Sequence, residues 1–380
     1  MAGVRISEYT SRKIARLSIV CAILVVYLHS YSKELSVSMS GSLTWWLQDF
    51  VSQGISRVAV PFFFVVSGFL LFKDFPEDGM SVRYWWLGKL RKRLKTLCVP
   101  YFAWSLLGLC STYIMTRFAN TQIYSYDVAI PTWWLEVLGI TTPPKFMFHL
   151  WFVKAIFLFA IFSPLIAAIV FRLPKVALLL LFLASIFRFR ELGDWPSNLM
   201  FFAIGMVAAR NYFMKEKVGQ DNGVDGYKGR VFDKVTGFRI FFTAKTVVCA
   251  WLAFVFLKVL MTRLGFVDLY GVIRLTDMFE ISVMPVINML GVAALWIGYD
   301  FLTEKQLLLD RIAPLSFFVY CLHWIILFWI GAITKRVLPF HNEIMIWFVP
   351  PTLTVVIAIL TGGLMRKKLL QAYNVLTGGR

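Results

Sequence analysis

The chain has 380 residues, of which 59% are hydrophobic and 16% are charged, well below the roughly 25% charged residues typical of a soluble globular domain. A net charge of +18 is common among nucleic-acid-binding proteins, but here the basic residues lie between long apolar runs and form no soluble amphipathic face. Composition therefore excludes an ordinary soluble domain and favours a protein of the lipid bilayer.

Apolar runs of about 17 to 22 residues recur along the chain, and this length crosses a hydrocarbon core of roughly 30 Å. The first run follows three basic residues and has no small-residue cleavage site after it, which predicts an uncleaved first span. In chain order we predict ten spans, near residues 14–31, 57–72, 97–116, 148–171, 176–190, 196–213, 240–261, 279–301, 315–333 and 343–365.

The predicted fold class is all-α, a polytopic helical bundle that forms one membrane domain over residues 1–380. The fifth span is the shortest, and the prolines that bracket it, Pro174 and Pro196, favour a re-entrant or tilted helix there. Residues 214–239 are the longest insertion between spans, and we expect a cytoplasmic hairpin or mobile loop.

The distribution of positive charge predicts the orientation in the membrane. With the N-terminus inside, about two thirds of the 39 Lys and Arg residues fall in the inner segments between spans. This bias predicts ten crossings with both termini in the cytoplasm.

Three of the four histidines, His29, His149 and His323, fall in or at the edge of predicted spans. An ionisable side chain at membrane depth is costly and usually faces a polar cavity or a partner, and histidine exchanges protons near neutral pH. The topology places His29, His149 and Arg57 at the outer ends of their spans, and His323 roughly 12 Å into its span at 1.5 Å per residue. The alternative is a set of histidines that hydrogen-bond across helix interfaces.

Six stretches, in order along most of the chain, resemble the acyltransferase-3 family of bacterial ten-span O-acyltransferases. They are LVVYLHS (24–30), SRVAVPFFFVVSGFLLF (56–72), KLRKRLKTLCVPYFAW (89–104), HLWFVKAIFLFAIFSPL (149–165), FFAIGMVAAR (201–210) and LSFFVYCLHW (315–324).

The resemblance implies transfer of an acetyl or other short acyl group from cytoplasmic acyl-CoA to a hydroxyl of a cell-envelope or exported saccharide. It implies an inner (plasma) membrane location, with membrane lipids around the chain and a saccharide or lipid-linked glycan as acceptor. We expect acyl-CoA, with acetyl-CoA first, as co-substrate, and no bound cofactor, metal site or nucleic acid.

The resemblance assigns catalysis to His29 and Arg57. His29 would act as the general base, because an unactivated alcohol attacks a thioester slowly. Arg57 would stabilise the developing oxyanion or orient His29, and its alternative role is that of an interfacial arginine. The family has an arginine eleven residues before this histidine, and that position here is Ser18, while the nearest arginine is Arg16.

The remaining candidates are assigned to binding. Arg91, Lys92 and Arg93 would attract the phosphates of acyl-CoA, with positive-inside anchoring as the alternative. The candidates for substrate binding are His149, Trp151, Lys154, His323 and Arg16.

Two other classes of function are compatible with the composition. A transporter or flippase for a glycan or small solute would line its passage with the histidines and Lys154, and predicts internal repeats, of which the sequence shows no convincing sign. A sensor or assembly scaffold would keep its activity without the histidines. No GxSxG motif surrounds Ser67, so Ser67 and Gly68 predict close helix packing and not a serine nucleophile.

Overall fold

A computed structural model describes residues 6–31, 42–76, 81–119, 139, 145–221, 244–300, 307–337 and 343–379. Helices make up most of these ranges, as the composition predicts. The first, α1 (Glu8–His29), begins after Ser7, whose side chain accepts a hydrogen bond from the Thr10 N–H, and Glu8 adds a negative charge to the first turn.

The second helical segment runs without a gap from Leu43 to Phe72, but its geometry changes along its length. It comprises α2 (Leu43–Gln48), a π-helical turn (Asp49–Gly54), a 3-10 turn (Ile55–Val58) and α3 (Ala59–Phe72). The segment is therefore much longer than the predicted span at 57–72.

The other helices follow in chain order. They are α4 (Val82–Arg93), a π-helical turn (Leu94–Cys98), α5 (Val99–Ala119), a 3-10 segment (Lys145–Leu150), α6 (Trp151–Ile161), α7 (Ser163–Arg172), α8 (Pro174–Ile186), a 3-10 turn (Arg190–Leu192), α9 (Trp195–Asp221), α10 (Ala244–Arg263), α11 (Met284–Tyr299), α12 (Leu307–Ile312), a 3-10 turn (Ala313–Leu315), α13 (Ser316–Val337), α14 (Glu343–Lys368) and α15 (Leu370–Thr377).

A small antiparallel sheet, absent from the prediction, joins β1 (Phe187–Phe189), β2 (Val272–Arg274) and β3 (Phe279–Ser282), with β3 in the middle. The predicted fifth span therefore ends too late and the eighth starts too early, since their ends at 187–190 and 279–283 lie in or beside strands. On one face of the sheet, Arg188 and Arg274 lie opposite Glu280.

Two further predictions need correction. The fourth span is broken, because α6 ends at Ile161 and α7 begins at Ser163 with Pro164 in its first turn, where proline has no N–H to continue the preceding helix. The insertion predicted at 214–239 begins as helix, since α9 continues to Asp221, and its remainder lies outside the described residues.

Five helical segments among the described residues are long and apolar enough to cross a membrane, and the broken pair of α6 and α7 makes six if taken as one span. The chain is therefore a helical multi-pass membrane protein. The number of ten crossings and the cytoplasmic placement of both termini stay predictions. The five segments are Leu43–Phe72, Val82–Arg117, Lys245–Arg263, Leu308–Thr334 and Met345–Lys368.

The chain forms two compact units, each built from separate stretches of sequence. The first unit contains residues 1–86 and 162–313. In it α3 and α9 meet at glycines: a Cβ on Gly68 would lie 2.1 Å from the Phe202 carbonyl oxygen, and one on Gly205 would lie 2.0 Å from that of Val65. The prediction that Gly68 serves close helix packing is confirmed.

The second unit contains residues 87–161 and 314–380. Its core includes Trp104, Phe318 and Tyr373, with the Phe318 ring 5.5 Å from each of the other two. The indole N–H of Trp104 donates to the Leu376 carbonyl at 2.8 Å, which fixes α15 to this core. That one domain spans residues 1–380 stays a prediction.

Candidate functional site

The end of α1 that carries His29 lies beside the irregular turns of the second helical segment. His29 is the last residue of α1 and is partly buried. Five residues earlier, Leu24 packs against the apolar core of the first unit, which includes Val58 and which Ile55 also contacts. Two residues after His29, the Tyr31 side chain reaches the Asp49 carboxylate. His29 and residues 49–58 therefore share one end of the first unit.

Arg57, the predicted partner of His29, lies in the 3-10 turn of this region. Its Nε and Nη2 both donate to the Gln53 side-chain oxygen, with the Nε bond at 3.1 Å. Its guanidinium lies 4.9 Å from the ring centroid of Tyr270, within the range of a cation–π contact. Arg57 is thus held on two sides, with part of its surface exposed.

Two buried charges beside Arg57 were missed in the sequence. Asp49 is completely buried and Lys258 is 3% exposed, and each interacts electrostatically with the other. The Lys258 ammonium donates to the Leu269 carbonyl at 2.6 Å, and its charge also interacts with that of Arg57. We call Tyr31, Asp49, Gln53, Arg57 and Lys258, beside the end of α1, the His29 cluster.

The sequence carries a signal for Lys258 but none for Asp49. Lys258 interrupts the apolar run of the predicted seventh span, where a charge is expensive. Asp49 lies outside the predicted second span, so nothing in the hydropathy pattern distinguishes it from a loop residue. Only the continuous helix from Leu43 places it inside the protein.

His149 and His323 meet in the second unit. Their ring centroids are 4.7 Å apart, and they are 1% and 0% exposed, respectively. The Tyr320 hydroxyl donates to the His149 backbone carbonyl, and the Nδ1 of His323 lies at the Tyr320 carbonyl, which only accepts. His323 is therefore protonated on Nδ1, because a carbonyl oxygen needs a donor.

This contact contradicts the prediction that His149 lies at an outer span end while His323 lies deeper. The chain does not enter the fourth span as a regular helix: Met147 has φ −141° and ψ 53°, and residues 145–150 form a kinked 3-10 segment. The irregular segment brings His149 to the level of His323.

The neighbouring candidates Trp151 and Lys154 lie on α6. Trp151 is the first residue of this helix, partly buried, and its ring lies 6.3 Å from that of Phe152. The Lys154 ammonium donates to the Gly139 backbone carbonyl.

Arg16 lies on α1, 13 residues before His29. It is 3% exposed, and its Nε and Nη2 bind the two carboxylate oxygens of Asp310 at 2.6 and 2.7 Å. Its Nη1 donates to the Tyr299 hydroxyl at 3.0 Å. These bonds fix α1 within the first unit, and a role for Arg16 in substrate binding stays a prediction.

The predicted acyl-CoA contacts lie near the end of α4. Arg91 and Lys92 are exposed and Arg93 is partly buried. Within the described ranges, no group of three or more His, Cys, Asp or Glu side chains is arranged to hold a metal ion.

Comparison with known proteins finds a family match along most of the chain. The model of the acyltransferase-3 family, described as an acyltransferase domain, matches residues 17–364. The succinoglycan biosynthesis protein ExoH of Rhizobium meliloti (strain 1021) is 23% identical over 364 residues, covering 94% of this chain and 89% of that relative. No solved structure matches.

Proposed function

The chain belongs to the acyltransferase-3 family and is an acyltransferase, and from this premise we propose that it transfers a short acyl group from acyl-CoA to a saccharide hydroxyl. Acetyl is the first group to test. The family match disfavours the transporter and scaffold alternatives, since neither needs an acyltransferase domain.

The proposal that the acceptor is a saccharide is supported by the similarity to the ExoH protein. Its name places that protein in the biosynthesis of succinoglycan, and the similarity covers nearly all of both chains. We infer that this chain modifies a cell-envelope or exported saccharide, free or lipid-linked, at the inner membrane. The proposed arrangement has ten crossings, both termini in the cytoplasm and one domain with a cytoplasmic insertion near residues 214–239.

The observation that carries the mechanism is the position of His29 at the partly buried end of α1, in the same unit as Arg57 and a set of polar side chains. His29 takes the proton of the acceptor hydroxyl while the hydroxyl oxygen attacks the carbonyl carbon of the thioester. The tetrahedral oxyanion forms, Arg57 offsets its charge, and the C–S bond breaks to release CoA as the thiolate, which takes up a proton.

The donor side of the reaction is assigned to the basic end of α4. The exposed Arg91 and Lys92, with Arg93, attract the CoA phosphates from the cytoplasm. His149, Trp151, Lys154 and His323 are assigned to substrate binding in the second unit, and Arg16 in the first.

The proposal is tested with purified protein in lipid nanodiscs, radiolabelled acetyl-CoA and an envelope glycan extract. We expect label in the glycan with the wild type and a loss of at least about 100-fold with His29→Ala, the usual size of a general-base contribution. His341→Ala is the matched control, because His341 lies between the predicted ninth and tenth spans.

The outcomes separate the two parts of the proposal. If the wild type transfers no label from acetyl-CoA or from other short acyl-CoA donors, the proposed reaction is wrong. If His29→Ala and His341→Ala transfer label equally well, the enzyme stands but His29 is not its base.

A further inference from the structure

The Asp49 carboxylate is buried without the hydrogen bonds that a charged group needs. It is 0% exposed, and among the described residues neither of its oxygens has a partner with standard hydrogen-bond geometry. The Tyr31 side chain also interacts with this carboxylate. Seven residues after Asp49, the Ser56 hydroxyl is also buried and has no hydrogen-bond partner in the same part of the chain.

Lys258 supplies complementary hydrogen-bonding capacity nearby. Its ammonium has three donors, and within the described ranges its one hydrogen bond goes to the Leu269 carbonyl. Its charge interacts with that of Asp49. Buried polar atoms in proteins are nearly always satisfied by protein, water or ligand, so an acceptor and a donor left in this way call for a third group.

The local backbone explains why these groups face inward together. Asp49 starts the π-helical turn Asp49–Gly54, and the buried polar side chains of Asp49, Ser52, Gln53 and Ser56 come from this turn and the one after it. A regular apolar helix would bury no such set. Single π-helical turns are frequent at functional sites.

Arg57 and Tyr270 lie beside this group, since the charge of Arg57 interacts with that of Lys258. Tyr270 is 48% exposed and carries the Arg57 guanidinium on its ring face. Its loop is rigid, since the Asp268 carboxylate accepts from the backbone N–H groups of both Tyr270 and Val272 at 2.8 Å. An exposed aromatic ring held in a fixed position therefore lies next to Arg57, and an aromatic ring with polar groups nearby is a combination common in small-molecule sites.

We propose that Asp49 and Lys258 bind hydroxyl groups of the saccharide acceptor and so present a neighbouring hydroxyl to His29. The Asp49 carboxylate accepts a hydrogen bond from one hydroxyl, and the Lys258 ammonium donates to an adjacent hydroxyl or ring oxygen. The inference rests on the proposed function and adds the acceptor site to it: a polyhydroxylated ring with two adjacent polar groups.

The test uses the full-length protein in nanodiscs and, as acceptor, the exported polysaccharide of the source bacterium after removal of its ester groups with mild base. Asp49→Asn removes the charge with little change in shape. We expect the acceptor KM to rise about tenfold or more, as for loss of a charged hydrogen bond, with the KM for acetyl-CoA unchanged. Equilibrium binding of the same polysaccharide without acetyl-CoA should weaken by the same factor.

The matched control is Thr354→Val. The Thr354 hydroxyl is fully buried in α14 of the second unit and likewise has no hydrogen-bond partner among the described residues. Its removal changes a buried polar atom without touching the His29 cluster, so the acceptor KM and binding should stay at wild-type values.

The results distinguish this inference from the proposed function. Wild-type protein that transfers no acyl group overturns the proposed function, while the binding measurement still tests the acceptor site. If Asp49→Asn binds the acceptor as well as the wild type does, the proposed acceptor site is wrong. Ordered water between the Asp49 and Lys258 side chains would then satisfy them. If Asp49→Asn does not fold, Lys258→Gln is judged by the same acceptor binding and the same two outcomes.

Discussion

Lys13 and Arg16 show how the chain accommodates positive charge inside an apolar unit. Lys13 is 1% exposed, lies 2.6 Å from an Asp300 oxygen and packs its ammonium 4.3 Å from the centroid of the Trp296 ring. Arg16, nearly one turn further along α1, uses Asp310 and Tyr299 in a similar way. Both cations bind groups from the far end of the unit's sequence, so they hold α1 against Tyr299, Asp300 and Asp310.

Removal of the Arg16 guanidinium should therefore destabilise the fold. We expect Arg16→Met to lower the free energy of unfolding by about 2 kcal/mol, less than for a fully buried pair because the Asp310 side chain is 38% exposed. The control is Arg12→Met, whose 2.8 Å pair with Glu8 lies at the surface and should contribute less than about 0.5 kcal/mol. Thermal unfolding in detergent measures both, and equal shifts would contradict the assignment.

Single residues differed in how far the sequence revealed them. His29, His149 and His323 were selected because histidine is rare in apolar runs, and the structure brings two of them into ring contact. Asp49 was missed because its neighbours read as a loop, although a helix that starts at Leu43 buries it. The sequence shows Lys258 as a charge within a predicted span, but it does not show that Asp49 lies near it.

Among the helices, the contact of α3 with α9 depends on two glycines. The backbones approach so closely that neither glycine leaves room for a methyl group. Small residues allow such contacts in membrane proteins, where burial in lipid supplies no net drive for helices to associate.

Gly68→Ala should disrupt this contact. Its Cβ would lie 2.1 Å from a backbone oxygen that no rotamer change can move, so we expect a loss of about 3 kcal/mol in stability. The matched control is Gly88→Ala on α4, where a Cβ meets nothing within 4 Å and the better helix former should stabilise by up to about 1 kcal/mol. A melting temperature of Gly68→Ala equal to or higher than that of Gly88→Ala would contradict this packing.

Helix geometry was less predictable than helix position. Hydropathy located the apolar segments, but a window average does not register a π-helical turn at Asp49–Gly54 or the break at Phe162. The three strands are too short to carry an alternating pattern of their own. They form because segments far apart in sequence supply hydrogen-bonding partners for one another.

At the scale of the whole molecule, charge and hydropathy predict the number and direction of the crossings. In a variant without the five native cysteines, Gly379→Cys should react with a membrane-impermeant maleimide only after the inner membrane is permeabilised. Ser42→Cys, between the first two predicted spans, should react in cells with a permeabilised outer envelope but an intact inner membrane. Labelling of Gly379→Cys under that second condition would refute the predicted ten crossings.

The sequence by itself determined that this chain is a helical membrane protein of the acyltransferase-3 family, because hydropathy and ordered motifs are local properties of the chain. It also singled out His29 and Arg57, since charges in apolar runs are visible one residue at a time. The tertiary structure decided which polar groups meet. Asp49 and Lys258 are some two hundred residues apart, and His149 and His323 lie on segments with different local geometry, so only the packing of the helices brings each pair together.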